Sequence, residues 1–269
     1  MDSRPVNNLV LSLFPGIGLL DMAFEEEGFC VVRGPDSLWG GDVRHFHPPA
    51  GKFDGVIGGP PCQIFSQLRH LNPLAGQKHG NMIPEFERVV TATTPAWFLM
   101  ENVPAAPEPS VPGFIVKSLV LNNRWLGEVQ DRERRFSFGT PDGRMLIVEL
   151  AVFEPMDYAQ AVTSSSRAVP VKLGGGGKIK RTYTADGKRH GPSQGGRLTI
   201  AELLGLQGAP ETLLAEAPFT VEGKRKAIGN GVPIPMGRAI ARAVKKAVNS
   251  MTPLGLRPET VVDKASTAG

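Results

Sequence analysis

Residues 8–18 of the sequence read NLVLSLFPGIG, an apolar run that leads directly into a turn with two glycines. A short apolar run bounded by a turn predicts a buried strand, and residues 19–29, LLDMAFEEEGF, predict a helix that ends at Gly28. Such a turn lets the backbone approach a ligand closely at the carboxyl edge of a sheet. It lacks the third glycine of the dinucleotide-binding pattern, so it is compatible with a nucleotide-like cofactor site and with a plain tight turn.

The alternation of apolar strands and helical stretches continues along the chain. Further strands are predicted at residues 30–33, 53–58, 96–103, 134–140 and 144–153. Helices are predicted at residues 85–93, 113–123, 198–208 and 234–251. The last helix carries a stripe of apolar side chains at Ile240, Ala243, Val244 and Ala247. This alternation predicts an α/β fold with a parallel sheet that is covered by helices on both faces.

Length and composition restrict the class of protein. The 269 residues, of which 41% are apolar, can bury a full core, and the net charge of +4 is compatible with an anionic partner without requiring one. Two cysteines, Cys30 and Cys62, are too few for a disulfide framework and indicate a reducing compartment. The N-terminal residues lack the layout of a signal peptide, and no run approaches the roughly 18 apolar residues of a membrane span. We therefore expect a soluble, cytoplasmic monomer.

Residues 58–63, GGPPCQ, place Cys62 at a corner where a predicted strand enters a loop. A cysteine there can act as a nucleophile if its pKa is lowered, although a buried and inert thiol is the more common fate of a single cysteine. The two prolines favour the nucleophile because they fix the backbone that holds the sulfur. From this segment alone, both interpretations stay open.

Two other segments carry polar groups in positions suited to chemistry. Glu101 ends a predicted strand, where a carboxyl beside a dry pocket could share a proton with a ring nitrogen, whereas a solvated carboxylate would be inert. Gln130, Arg132 and Arg134 alternate, so on a strand they would project from one face. They would act there either as donors toward phosphates or a base carbonyl, or as charges that protect an edge strand.

Residues 160–197 differ in amino-acid composition from the rest of the chain. They are rich in glycine and serine, and they contain eight Lys or Arg residues against one acid, Asp186. A solvated, flexible insertion would have this composition, and so would a small basic lobe that contacts phosphates.

Six segments occur together in one order: FPGIG at 14–18, PCQ at 61–63, ENV at 101–103, QDRER at 130–134, RLT at 197–199 with QG at 207–208, and GN at 229–230. This ordered set, which spans about residues 8–248, resembles the DNA (cytosine-5)-methyltransferases. The resemblance implies a Rossmann-like class I methyltransferase sheet with a small basic target-recognition insert. It also implies transfer of a methyl group from S-adenosylmethionine to C5 of a cytosine that is flipped out of double-stranded DNA.

The resemblance assigns a role to each matching position. Cys62 would add to C6 of cytosine, Glu101 would hydrogen-bond N3 and the exocyclic amine, and Arg134 would hold the base carbonyl, with Gln130 and Arg132 supporting the site. The residues implied in cofactor binding are Phe14, Gly16, Ile17, Gly18, Asp42, Val43, Pro61, Asn230 and Gly231. The residues implied in DNA binding are Gln63, Ser66, Arg69, Lys178, Lys180, Arg181, Lys188, Arg189 and Arg197. No metal ion is implied.

The sequence departs from the family pattern in the cofactor region. Ser12 stands where the family usually has Asp, and Gly34 and Pro35 stand near the place of the acidic residue that binds the cofactor ribose. Asp36 is a candidate substitute. Which residue contacts the ribose is therefore left open at this point.

The expected organisation has four units. Residues 1–154 would form the catalytic and cofactor-binding domain, 155–197 a small target-recognition region, 198–250 a return to the catalytic domain, and 251–269 a flexible tail. Alternative functions are an RNA cytosine-5 methyltransferase of the same fold and a catalytically idle DNA-binding homologue. The setting would be a restriction-modification system or an orphan enzyme of a bacterium or phage.

Overall fold

The computed structural model describes residues 8–61, 80–151, 157–162, 171–172 and 198–250. The strands in this part of the chain are β1 (Leu9–Leu13), β2 (Cys30–Arg33), β3 (Gly55–Gly58), β4 (Trp97–Asn102), β5 (Ile115–Asn122), β6 (Gln130–Asp131), β7 (Glu133–Thr140), β8 (Asp157–Gln160) and β9 (Val171–Lys172). The α-helices are α1 (Leu19–Glu26), α2 (Ile83–Thr93), α3 (Ile200–Leu206), α4 (Val221–Asn230) and α5 (Ile234–Asn249). None of these helices is long and apolar enough to cross a membrane.

Within the described residues, the main sheet has six strands in the order β2-β1-β3-β4-β7-β5. Strands β2, β1, β3 and β4 are parallel, while β7 runs antiparallel to both of its neighbours. Consecutive residues of a strand point to opposite faces. Val10 accordingly packs in the cluster that holds α1 and α5, and Leu11 packs in the cluster that holds α2. The predicted α/β sheet with helices on both faces is confirmed; four of its strands are parallel as expected, and β7 makes the sheet mixed.

The predicted helix at 113–123 is also wrong, because this segment forms strand β5. Residues Ile115 to Asn122 pair antiparallel with β7 along its whole length, from Ile115↔Thr140 to Asn122↔Glu133. The segment is rich in β-branched residues, which pack well on a pleated surface. The eight-residue ladder also satisfies the backbone groups on the outer side of β7, which a helix would leave without partners.

The predicted strand at 144–153 is not formed in its described part, residues 144–151, which have no regular secondary structure. This extended segment runs along α5 instead of beside a strand. Arg144 donates hydrogen bonds to Ala247 O and Ser250 Oγ, and Glu149 pairs with Lys246. The apolar residues of this segment alternate between buried and exposed because one side of the segment packs on α5, and no neighbouring strand pairs with it among the described residues.

In the C-terminal part, α3 and α5 lie within the segments that the sequence predicts to be helical, whereas the sequence analysis did not predict α4. Thr199 and Glu202 form a capping box at the start of α3, and Gly208 follows its end with a φ of 69°. The apolar stripe of α5 is packed against the sheet and α1. At their closest approach a Cβ on Gly237 would lie 2.7 Å from Cβ of Ala23, so only glycine allows the two helices to pack this closely.

A second, small sheet joins β6, β8 and β9. Strand β6 precedes β7 by one residue, Arg132, so the chain passes from the small sheet to the main sheet at that position. Strands β8 and β9 lie in the region that the sequence predicts to recognise the target, although most of residues 155–197 lie outside the described residues.

Candidate active site

A cavity of about 580 Å³ opens at the carboxyl ends of β1, β3 and β4. In open α/β sheets, ligands bind at this edge. Its walls come from distant parts of the chain. They include the glycine turn at residues 14–17, residues 36–38, residues 58–61, the pair Glu101 and Arg134, and residues 226, 227 and 229–232. Five of the six segments that the resemblance groups together thus contribute residues to one cavity.

The glycine turn is held from both sides by the segment that follows β2. Gly16 has a φ of 57°, a backbone conformation that residues other than glycine rarely adopt. Its N–H donates to Asp36 Oδ2 at 2.8 Å, and its carbonyl accepts a hydrogen bond from Trp39 Nε1 at 2.7 Å. Gly18, with a φ of 83°, begins α1. The turn is therefore a fixed wall of the cavity.

Glu101 is the last but one residue of β4 and is buried at the inner end of the cavity. Its Oε1 lies 2.8 Å from Nε of Arg134, which reaches across from the neighbouring strand β7. Burial raises the pKa of Glu101, and the charges of Arg134 and Arg132 lower it again in part. The next residue, Asn102, donates from Nδ2 to Pro60 O at 3.2 Å and so ties the loop before Pro61 to the same strand end.

Gln130 and Arg132 are buried and do not line the cavity, unlike Arg134. Gln130 Nε2 donates to Leu206 O, and Arg132 donates to the carbonyls of Val162, Gly229 and Gly231. The alternating set is thus divided. Arg134 reaches Glu101, while the other two side chains hold backbone of the C-terminal part.

Asp42, Val43 and Gly18 are not among the residues that line the cavity, unlike the six other implied cofactor residues. Asp42 accepts a hydrogen bond from Arg44 N and pairs with the Arg44 guanidinium, which lowers the pKa of Asp42 to about 2. Val43 is buried in the apolar cluster on the α2 face. Asp36, the candidate substitute, does line the cavity.

Several residues that sequence reasoning missed belong to the same region. Leu38 and Phe219 line the cavity, and the ring centroid of Phe219 lies 5.0 Å from that of Trp39. Beneath the glycine turn, Ser12 Oγ donates to Asp21 Oδ1 at 2.5 Å, and Arg33 Nε lies 2.9 Å from Asp21 Oδ2. Burial raises the pKa of Asp21 despite both partners. The unusual Ser12 was a signal for this network, but its partners are distant in sequence.

The implied cofactor residues Phe14, Gly16, Ile17, Pro61, Asn230 and Gly231 all line the cavity. Other predicted positions lie outside the described residues: Cys62, Gln63, Ser66, Arg69, Lys178, Lys180, Arg181, Lys188, Arg189 and Arg197. Their roles stay predictions.

Comparison with known proteins shows which family this chain resembles. Residues 40–166 match the sequence model of the C-5 cytosine-specific DNA methylases. Type II methyltransferase M.FnuDI of Fusobacterium nucleatum is 31% identical over 159 residues, which cover 48% of this chain and 46% of that protein. Type II methyltransferase M.HgiGI of Herpetosiphon aurantiacus is 30% identical over 117 residues, which cover 36% of this chain and 90% of that protein.

The fold agrees with this comparison. The structure of the Entamoeba histolytica methyltransferase EhMeth superposes with a TM-score of 0.60 over 89% of this chain and 98% of that chain, at 12% identity. The sheet is therefore the Rossmann-like sheet of a class I methyltransferase. The chain spans about half the length of the first three curated relatives it matches. With the sequence match to M.HgiGI covering nearly all of that relative, the chain belongs to the C-5 cytosine-specific DNA methylase family.

Proposed function

We propose that this protein is a DNA (cytosine-5)-methyltransferase, which transfers a methyl group from S-adenosylmethionine to a cytosine flipped out of duplex DNA. The observation that carries the proposal is the ion pair of the buried Glu101 with the partly buried Arg134, which shares one cavity with Pro61 and the glycine turn. A carboxyl group and a guanidinium side by side offer the hydrogen-bonding groups that match N3, the amine and the carbonyl of a cytosine.

The cavity suits S-adenosylmethionine in size and in its polar groups. Its volume of about 580 Å³ is in the ordinary range of small-molecule sites. The carboxylate of Asp36 can accept hydrogen bonds from ribose hydroxyls, and Leu38 and Phe219 offer an apolar surface to adenine. The N-terminus of α1 has no side-chain cap, so its N–H groups and positive dipole end suit the methionyl carboxylate. The bound cofactor supplies an electrophilic methyl group on a sulfonium.

In this proposal the chain's own residues activate the base. Cytosine C5 is a poor nucleophile until the Cys62 thiolate forms a bond to C6, which moves the electrons of the C5–C6 double bond toward C5. Glu101, whose pKa is raised by burial, can keep a proton and share it with N3 as charge develops. Arg134 donates to the base carbonyl. After the methyl group is attached at C5, loss of the C5 proton to a base and expulsion of Cys62 restore the aromatic ring.

The proposed partner is double-stranded DNA. The base must leave the stack because its C5 and C6 atoms cannot otherwise reach the bottom of a cavity. The lysines and arginines of residues 178–197 would bind phosphates, which gives affinity without sequence information. We keep the four units proposed from the sequence, with 155–197 as the target-recognition region and 1–154 and 198–250 as the catalytic domain. The curated relatives are Type II methyltransferases, so we propose a restriction-modification or orphan modification role in a bacterial or phage-infected cell.

The decisive experiment is covalent capture on a substrate analogue. Purified protein is incubated with S-adenosylmethionine and duplex DNA in which 5-fluorocytosine replaces cytosine, because fluorine at C5 cannot leave as a proton does and the bond to Cys62 then persists. We expect a denaturation-resistant adduct for the wild-type protein and for Cys30→Ala, which removes the other cysteine, and none for Cys62→Ala.

Three results would contradict the proposal. They are the absence of an adduct in the wild-type protein, an adduct that survives in Cys62→Ala, and methyl transfer to RNA but not to DNA in a parallel assay with a radiolabelled methyl group. The last result would favour the RNA cytosine-5 methyltransferase. Bisulfite sequencing of DNA from expressing cells would then identify the modified sequence.

A further inference from the structure

Arg132 occupies the joint between the two sheets of the protein. It is the single residue between β6, which belongs to the small sheet, and β7, which belongs to the main sheet. Its side chain is almost fully buried, with an exposed fraction of 2% for the residue. A buried guanidinium must have its N–H groups bound, since an unsatisfied charge in the interior costs several kcal/mol.

The guanidinium of Arg132 connects two parts of the molecule. Nη1 donates to Val162 O at 3.2 Å, and Val162 follows β8 of the small sheet by two residues. Nη2 donates to Gly229 O at 2.9 Å and to Gly231 O at 2.8 Å. Gly229, Asn230 and Gly231 line the cavity. One side chain thus fixes both the chain after the small sheet and one wall of the cavity.

Two glutamines support the same wall from behind. Gln207 Nε2 donates to Ile228 O at 2.7 Å, and Gln130 Nε2 donates to Leu206 O at 2.9 Å. Both residues are fully buried. Gln207 and Arg132 therefore hold the carbonyls of residues 228, 229 and 231, while Gln130 holds the carbonyl of Leu206, the residue before Gln207. Ile228 and Gly229 lie in the last turn of α4 and Gly231 follows it, and carbonyls at the C-terminal end of a helix lack partners within the helix ladder.

We propose that Arg132 is a positioning residue that holds the Gly229–Gly231 wall of the cofactor cavity and links it to the small sheet, so that DNA binding and cofactor binding strengthen each other. This inference rests on the proposed function, because it takes the small sheet as part of the DNA-binding region. Arg132 acts through backbone carbonyls and does not touch the base. In this proposal, DNA binding stabilises the conformation in which Arg132 donates to all three carbonyls. The same conformation holds residues 229–231 in place for the cofactor. The coupling must be reciprocal.

The test measures binding of S-adenosylhomocysteine by calorimetry, with and without saturating short duplex DNA of mixed sequence. Arg132→Lys keeps the charge but cannot reach three carbonyls with one ammonium. Arg135→Lys is the matched control, because Arg135 also lies on β7 and donates to two carbonyls, Pro104 O and Pro107 O, in neither the cavity wall nor the small sheet. We expect DNA to tighten cofactor binding several-fold in the wild-type protein and in Arg135→Lys. In Arg132→Lys we expect about tenfold weaker cofactor binding and a DNA effect below twofold, for the loss of at least one charge-assisted hydrogen bond.

Hydrogen exchange of the wild-type protein provides a second measurement that needs no variant. S-adenosylhomocysteine alone should slow amide exchange in residues 157–162 as well as in residues 228–232. Unchanged exchange at 157–162, independent binding of the two ligands in the wild-type protein, or intact coupling in Arg132→Lys would each overturn the inference. A merely structural role would lower the unfolding temperature of Arg132→Lys and leave the coupling in place. Failure of the wild-type protein to bind either ligand would instead refute the proposed function.

Discussion

The variants Asp36→Asn and Asp42→Asn test which of the two aspartates belongs to the cofactor site. The structure supports Asp36, whereas the family resemblance implied Asp42. Asp36 and Asp42 have the same local role, since each begins a short 3-10 turn and accepts a hydrogen bond from the backbone N–H two residues later. Both lie in extended backbone. They differ in their surroundings, because Asp36 lines the cavity and also binds Gly16 N–H, whereas Asp42 does neither.

The expected size of the effect follows from that second hydrogen bond. In Asp36→Asn one side-chain oxygen can still accept from Leu38 N, but the amide nitrogen then faces the N–H of Gly16, and two donors repel. A hydrogen bond to a charged group contributes about 1.5–3 kcal/mol, and partial exposure of Asp36 favours the lower end. A loss of about 1.5 kcal/mol corresponds to about tenfold weaker binding of the cofactor, since the glycine turn is no longer fixed.

Calorimetry with S-adenosylhomocysteine is the assay, and the unfolding temperature without ligand separates lost binding from lost stability. We expect Asp36→Asn to bind about tenfold more weakly and Asp42→Asn to bind like the wild-type protein. Equal affinity of Asp36→Asn and wild type would refute the reasoning. So would an equal loss in Asp42→Asn, which would return Asp42 to the cofactor site as the family resemblance implied.

Two further predictions concern packing and buried charge. A Cβ on Gly55 would lie 2.2 Å from Cζ2 of the buried Trp97, so Gly55→Ala should lower the free energy of unfolding by about 1–3 kcal/mol. On α3, a Cβ on Gly205 would meet nothing within 4 Å, so Gly205→Ala should raise the free energy of unfolding by about 0.5–1 kcal/mol. Urea unfolding measures both, and equal effects would contradict the packing. Burial raises the pKa of Asp21, so the folded protein binds the carboxyl proton more tightly than the unfolded chain does. The resulting stabilisation is complete below the pKa of the unfolded chain and is lost as the pH rises through the pKa of the folded protein. The free energy of unfolding of wild type minus that of Asp21→Asn should therefore decrease from acid toward neutral pH, and an increase would show that Ser12 and Arg33 outweigh burial.

The apolar patterns of the sequence predicted most of the main elements because those elements are decided locally. The runs at β1, β3 and β4 are mostly apolar, as expected for strands buried on both faces, and their polar residues are Ser12 in β1 and the terminal Glu101 and Asn102 in β4. Capping residues and glycines mark the limits of α3, and the stripe on α5 has the helical period. Glu101, Arg134 and the glycine turn, which belong to three of the motifs that carry the family resemblance, line one cavity in the structure.

Other features depended on partners that no local pattern reveals. Residues 115–122 have an apolar pattern compatible with a helix, and only pairing with β7 makes them a strand. Asp36 and Asp42 have similar local sequence contexts, and the path of the chain after β2 decides which of them reaches Gly16. The same holds for Arg132, whose three carbonyl partners are 30, 97 and 99 residues away along the chain.

The sequence by itself determined most of the main strands and helices, the family resemblance and several of the segments that surround the cavity. The tertiary structure decided which of these residues face the cavity and which hold its walls. The physical reason is that secondary structure follows from the period of apolar residues within a segment. The direction of a buried polar side chain follows instead from which distant donor or acceptor can satisfy it, and that is fixed only when the segments pack together.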